Sequence, residues 1–256
     1  GKSSRQRVHL FLGSGGSGKT YTYTKVIKTL LLHFLGANAV AEMAPSHAAA
    51  RLLGLDATTV HKFAEALPDQ DWSIQGSEPH EPQEGILGQR LRGIRAVILD
   101  EFSMCQPEVF NGAALRHTAA TEEETGYGAE SYMDHPFGDV EFLIYMGDLL
   151  QLRPPMRRSL AEEPGDDYAP KIPGVTKKPS DTLQPGIRHA ANQGRRLFQR
   201  VQNVHRFNGT RRFLPNDPLI RILQAYRTGS GLSDADWALL VGRTLTSSSQ
   251  LETNDY

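Results

Sequence analysis

Cysteine occurs once in this chain, at Cys105, so no intramolecular disulfide can form and a cysteine-built metal cage is unsupported. No apolar run approaches the ~20 residues that a membrane-spanning helix needs. The first residues also lack the charged start, apolar block and small-residue cleavage site of a secretory signal. These absences predict an intracellular protein without a membrane partner, in the nucleus or mitochondrion of a eukaryote and otherwise in the cytoplasm. Neither sign of charge prevails. A net charge of −1 over 256 residues gives no global pull toward a polyanion, so nucleic-acid binding has to come from a local patch or groove. Internal repeats are missing as well. What remains is an ordinary globular composition, 39% hydrophobic and 22% charged, enough for one large or two modest domains.

The strongest positive signal is Val8 to Thr20. An apolar run with β-branched and aromatic members, Val8–Leu12, reads as a buried strand; it ends in a glycine-rich turn, and Tyr21 to Phe34 is compatible with a helix. The turn, Gly13-Ser14-Gly15-Gly16-Ser17-Gly18-Lys19-Thr20, has the spacing of a phosphate-binding loop. Its glycines let the backbone approach a polyphosphate without a Cβ in the way, and its amides form an anion nest at a helix N-terminus. Lys19 then reaches the β- and γ-phosphates of ATP, and the Thr20 hydroxyl binds Mg²⁺. A glycine-rich turn beside a surface lysine is the plainer alternative.

Two further strands end in polar residues. Arg95-Ala96-Val97-Ile98-Leu99 delivers Asp100 and Glu101. In an open parallel sheet the strands' carboxyl ends face one crevice, so this pair converges with the phosphate loop. Asp100 is suited to Mg²⁺, mostly through water, and Glu101 to orienting or deprotonating an attacking water; a solvated acidic turn is the alternative. Val140 to Met146 is another strand, followed by Gly147-Asp148-Leu149-Leu150-Gln151-Leu152-Arg153-Pro154-Pro155. Its Gln151 amide can feel a γ-phosphate or the attacking water, unless the segment is only a proline-stopped loop.

The rest of the chain is less pointed. Ala37–Ala44 is a weak strand stopped by Pro45, and Ser46 and Thr59 are candidate helix caps. Residues 69–84 read as a surface excursion, and Thr121–Asp139, acidic and glycine-rich, as an insertion. Met156 to Pro185 reads as a linker or loop. Arg195, Arg196, Arg200, Arg206, Arg211 and Arg212 form the one local basic patch, or a solvated helical face. Helices are expected over 218–227 and from Ser233 to Leu240.

Five segments stand in the order and approximate spacing of successive helicase motifs: Gly13–Thr20, Ala44-Pro45-Ser46-His47-Ala48-Ala49, Thr59-Val60-His61-Lys62-Phe63, Ile98-Leu99-Asp100-Glu101-Phe102-Ser103-Met104 and Gly147-Asp148-Leu149-Leu150-Gln151-Leu152. Together they resemble the PIF-one-like branch of superfamily one, relatives of RecD that move 5′ to 3′ on single-stranded DNA. The resemblance runs from about Val8 to Arg243. It implies an α/β fold: a RecA-like P-loop domain over 1–155, with insertions near 69–93 and 119–139, a linker over 156–185, and the start of a second RecA-like domain over 186–256.

Carried over by position, the resemblance gives Lys19 and Thr20 to phosphate and Mg²⁺, Asp100 and Glu101 to metal and water, and Gln151 to sensing. Arg206 becomes the arginine that reaches ATP from the second domain. The DNA-facing candidates are Pro45, Ser46, His47, Thr59, His61, Phe63, Pro154 and Pro155. The implied activity is ATP-dependent DNA unwinding by a monomer, in repair, recombination or telomere maintenance. Arg153 and His47 depart from the family's usual proline and glycine. No second-domain glutamine-glycine segment or late arginine motif is found, and Gln6 lies too close to the loop to stand for the adenine-reading glutamine. A fragment of a longer helicase, or a degenerate copy, is therefore expected. The alternatives are a module that binds ATP or single-stranded DNA without unwinding, and a P-loop ATPase acting on protein.

Overall fold

The computed structural model describes residues 6–65, 88–151, 154, 159–163, 185–214 and 216–242. Its centre is a six-stranded, all-parallel sheet in the order β3-β2-β4-β5-β1-β6. The strands are β1 (Arg7–Gly13), β2 (Val40–Ala44), β3 (Thr58–Thr59), β4 (Ala96–Leu99), β5 (Phe142–Gly147) and β6 (Asn203–Phe207). β4 is buried at every position, as a central parallel strand covered on both faces must be. Asp100 and Gly147 therefore leave the sheet at the same end as the glycine turn after β1.

One face is covered by the helix that follows this turn. It runs as α1 (Lys19–Thr22), a π-helical turn (Tyr23–Ile27) and α2 (Lys28–Leu35), and packs Tyr23 and Leu31 with Phe11, Ile98, Ile144 and Met146. α3 (His47–Leu53) starts from Ser46, whose Oγ accepts the Ala49 N–H at 3.2 Å, and α4 (Val60–Phe63) from Thr59, whose Oγ1 accepts the Lys62 N–H at 3.2 Å. Both caps are the ones expected from the sequence.

The other face is covered by α5 (Pro107–Ala120) and α6 (Pro185–Phe198). α5 is buried on almost its whole circumference, from Pro107 to Thr118, which explains why no amphipathic period marks it in the sequence. It touches α6 through Gly194, where a Cβ would come within 2.0 Å of the Pro107 carbonyl oxygen. Tyr132 and Phe137, in the segment expected to be an insertion, are buried in this core with Phe110 and Tyr145. That segment closes the core. The 69–84 excursion and most of the 156–185 linker lie outside the described residues; within the linker, Ser159 and Leu160 are buried.

The chain divides into two compact units, Gly1–Gly209 and Thr210–Tyr256. The expected start of a second domain at 186 is corrected by this division. α6 packs on α5 and β6 pairs with β1, so both belong to the first unit. The basic patch is corrected as well: Arg195 is fully buried, with Nε donating to the Ser159 carbonyl at 3.3 Å, and Arg211 and Arg212 fall in the other unit. In that unit, α7 (Pro218–Thr228) is capped by Asp217, whose Oδ1 accepts the Leu219 N–H at 2.9 Å. α8 (Asp234–Gly242) follows, tied to α7 by an Arg221–Asp236 ion pair, while Ser233 Oγ accepts the Asp236 N–H at 3.2 Å. No helix among the described residues is long and apolar enough to cross a membrane.

Candidate active site

The turn after β1 folds as a nest. Gly16 (φ 77°) and Gly18 (φ 95°) take the left-handed conformations that only glycine adopts without strain. Gly13 is needed for a different reason: a Cβ there would lie 2.4 Å from Ser17 Oγ and 2.8 Å from both Cβ and the carbonyl oxygen of Phe207 on β6. Lys19 is buried, its Nζ donating to the Gly13 carbonyl at 2.7 Å and the Ser14 carbonyl at 3.1 Å. The loop thus holds a cation against its own carbonyls at the N-terminus of α1, where an anion is favoured.

β4 and β5 bring the remaining groups to this turn. The Thr20 hydroxyl donates to Asp100 Oδ2 at 3.2 Å, and Asp100 Oδ1 accepts the Glu101 N–H at 2.9 Å. Burial pushes the Asp100 carboxyl up from its ordinary range, opposed by those two hydrogen bonds and the Lys19 charge. Glu101 has φ 51° and ψ 42°, a left-handed conformation uncommon for a residue with a side chain. Its carboxyl is also pushed up, first by burial, then by the like charges of Asp100 and Asp148, against Lys19 and a hydrogen bond from the Gln151 side chain. Gln151 is held by a tight turn in which its N–H donates to the Asp148 carbonyl at 3.2 Å, while Asp148 Oδ1 accepts the Leu150 N–H at 3.1 Å.

Three side-chain atoms in this group, Ser17 Oγ, Glu101 Oε2 and Gln151 Oε1, are buried without a hydrogen-bond partner. Unpaired polar atoms cost free energy to bury, and a hydrated polyphosphate supplies the donors and acceptors they lack. The residues therefore fit a nucleotide with a hard divalent cation. Thr20 and Asp100 offer oxygen ligands, and among the described residues no group of three or more His, Cys, Asp or Glu forms a self-sufficient metal cage.

The model for PIF1-like helicases matches residues 2–163. The chain belongs to the PIF1-like helicase family. Its fold is that of solved Pif1 structures. A Bacteroides Pif1 bound to single-stranded DNA aligns with a TM-score of 0.59 at 21% identity, covering 96% of this chain and 49% of that one. The Bacteroides Pif1 complex with ADP-AlF3 and single-stranded DNA gives 0.58 at 22% identity over 96% and 48%. Pif1 from Candida albicans gives 0.54 at 19% over 91% and 42%. The chain spans about half the length of these structures. A search of curated proteins found no match.

In this PIF1-like chain the expected nucleotide residues, Gly13 to Thr20 with Asp100, Glu101 and Gln151, come together as described. Arg206 does not arrive from a second domain: it is exposed on β6, in register with Leu12 and one step before the Gly13–Phe207 pair. The DNA-facing candidates divide. Pro45 and His61 are half-buried, and Ser46 and His47 exposed, around the start of α3 and along α4. Phe63 is a correction. It is 5% exposed and stacks on His117, ring centroids 5.9 Å apart, so no base can reach its face. Thr59 is buried and its hydroxyl is used as a cap. Pro154 is buried too, and Pro155 lies outside the described residues.

The sequence reasoning missed Asp148, whose buried carboxylate presses on Glu101, and Phe207, whose backbone walls the loop. A carboxylate directly after the β5 strand was a signal that could have found Asp148. Nothing in the local pattern around Phe207 pointed to the loop.

Proposed function

We propose that this chain is the nucleotide-binding motor domain of a monomeric ATP-dependent DNA helicase, which moves 5′ to 3′ along single-stranded DNA and opens duplex in repair, recombination or telomere maintenance. The observation that carries this is the convergence of Lys19, Thr20, Asp100, Glu101 and Gln151 at one end of the sheet, with Glu101 Oε2, Gln151 Oε1 and the neighbouring Ser17 Oγ buried and unpaired. In this reading Lys19 exchanges the Gly13 and Ser14 carbonyls for β- and γ-phosphate oxygens. Thr20 and Asp100 hold Mg²⁺, whose charge neutralises the phosphates when it is bound.

Glu101 takes the proton of the water that attacks the γ-phosphorus. As that P–O bond forms, the bond from γ-phosphorus to the bridging oxygen breaks, and ADP and phosphate leave. The raised basicity of Glu101 suits this step, because a general base is most effective with a pKa near the working pH. Gln151, bonded to Glu101, orients the water through its free carbonyl oxygen. Arg206 supplies positive charge beside the loop. Single-stranded DNA meets the Pro45–His47 turn and His61 through phosphate contacts and stacking.

The test is the steady-state ATPase rate with and without single-stranded DNA, beside Glu101→Gln. Turnover that DNA stimulates and the variant loses supports the proposal. Turnover at background in the presence of ATP, Mg²⁺ and DNA refutes it as a self-sufficient motor. The second possibility is a module that binds nucleotide or single-stranded DNA without unwinding. It is separated by strand displacement, which needs two domains that change their grip through the cycle.

A further inference from the structure

Beneath the candidate active site lies a buried charged network that the hydrolytic chemistry does not use. Tyr23, the first residue of the π-helical turn, is 0% exposed and donates its hydroxyl to Glu42 Oε1 at 2.7 Å. Lys28, at the start of α2, donates to Glu42 Oε2 at 2.6 Å and to the Leu53 carbonyl at 3.2 Å. Gly54 leaves the room for that approach, since a Cβ there would stand 2.9 Å from Lys28 Nζ. Burial and the Glu42 charge push the Tyr23 hydroxyl far up, so it stays a donor at every working pH.

The positions of the partners give the network its meaning. Tyr23 lies on the continuous helix that begins with Lys19 and Thr20. Glu42 is on β2, in register with Ile98 of β4, two residues ahead of Asp100, and β2 runs into Pro45 and Ser46. Leu53 ends α3, the helix that Ser46 caps. Glu42 and Lys28 therefore tie the helix of the phosphate loop to both ends of the segment that carries the exposed Ser46 and His47, Glu42 from the β2 side and Lys28 through the Leu53 carbonyl. π-helical turns inside α-helices are frequent at functional sites. Here the turn aims a tyrosine hydroxyl at a neighbouring strand.

We propose that Tyr23 and Glu42 are positioning residues that transmit nucleotide binding at Lys19 and Thr20 to the Pro45–His47 turn, so that nucleotide sets the affinity for single-stranded DNA. This rests on the nucleotide and DNA sites of the proposed function. A helix and a strand joined by buried, charge-assisted hydrogen bonds move together, because breaking either bond leaves one buried oxygen of the Glu42 carboxylate without a partner. A bare apolar contact could slide.

The experiment measures binding of a labelled oligo-thymidine by fluorescence anisotropy, with and without a non-hydrolysable ATP analogue and Mg²⁺. The readout is the ratio of the two affinities, a coupling factor that a change in stability alone does not move. Tyr23→Phe keeps the buried ring and deletes the hydroxyl. Tyr132→Phe is the control, deleting a buried hydroxyl that donates to Asn111 Oδ1 at 3.0 Å in the other core.

The expected result is that Tyr23→Phe lowers the ratio about threefold or more toward one, with nucleotide affinity within about twofold of wild type, while Tyr132→Phe keeps the wild-type ratio. A Tyr23→Phe chain with the wild-type ratio overturns the proposal, as does a Tyr132→Phe chain that loses as much. A wild-type chain that binds both ligands with a ratio of one also overturns it but leaves the two sites standing. Failure of the wild-type chain to bind nucleotide or DNA refutes the proposed function as well.

Discussion

Replacing Glu101 is expected to raise the stability of the first unit while stopping turnover. The carboxylate is buried beside Asp100 and Asp148, and its backbone is held at φ 51°. Glu101→Gln keeps the shape and removes the charge. Glu101→Gly removes the charge and the backbone strain together. A side-chain-bearing residue in the left-handed region costs about 1–2 kcal/mol, and glycine returns about 0.5–1 kcal/mol of that through unfolded-state entropy. The glycine variant should therefore exceed the glutamine variant by about 0.5–1 kcal/mol, roughly 1–4 °C for a unit of this size.

The charge contribution is separable by pH. The folded-state pKa of Glu101 is raised, so the folded protein binds the proton first as pH falls. The destabilisation is complete above that raised pKa, fades as pH drops toward the ordinary carboxylate range, and is gone below it. The advantage of Glu101→Gln over wild type should follow this course in thermal melts across about pH 4 to pH 9. Turnover of either variant should fall about 10²–10⁴-fold, the usual share of a general base. A glutamine variant that melts below wild type at alkaline pH, or that retains turnover, refutes the assignment of Glu101.

Other outcomes follow from the same geometry. Lys19→Ala should weaken binding of a fluorescent nucleotide roughly a hundredfold, the worth of a charge-assisted phosphate contact or two, and titration of the variant checks it. Phe63→Ala should cost about 3–5 kcal/mol in urea denaturation, as a buried aromatic does; loss of DNA affinity without loss of stability would restore Phe63 to the DNA surface. His117 is buried with both ring nitrogens unpartnered, and burial pushes its pKa down to about 3. The unfolded chain then takes up the proton first, so stability should fall by about 1.4 kcal/mol per pH unit from roughly pH 6.5 toward pH 3. His117→Leu should flatten that acid-side slope in denaturant melts at a series of pH values.

The gathering of Lys19, Thr20, Asp100, Glu101 and Gln151 around the glycine turn was legible because their backbone does the work. A glycine spacing fixes a nest, and β-branched runs ending in Asp100 or before Gln151 place those groups at the sheet's end wherever the chain later wanders. The elements that were not legible are those whose environment comes from distant residues. β6 is an exposed edge strand, Asn-Val-His-Arg-Phe, with no hydrophobic alternation, and its place beside β1 is set by pairing nearly 200 residues away in sequence. α5 is enclosed by α6 and the Tyr132–Phe137 segment, so burial erases its period. Phe63 was read as a stacking surface because an aromatic beside a histidine looks alike in a core and in a groove; only the position of His117 decides. Arg195 followed the same logic in reverse, as a cation whose partner, the Ser159 carbonyl, lies 36 residues upstream.

The place of β1 in the sheet also governs when this chain can fold. β1 is made before both of its neighbours, β5, which begins at Phe142, and β6, which begins at Asn203. On a ribosome that adds roughly 5–20 residues per second, the phosphate-loop strand waits many seconds with both edges open before either partner exists. Pairings so remote in sequence close slowly, because the loop entropy is lost before the contacts form. Val8, Leu10 and Phe11 are thus exposed to aggregation during synthesis, and β1 is a stretch a holdase chaperone would grip.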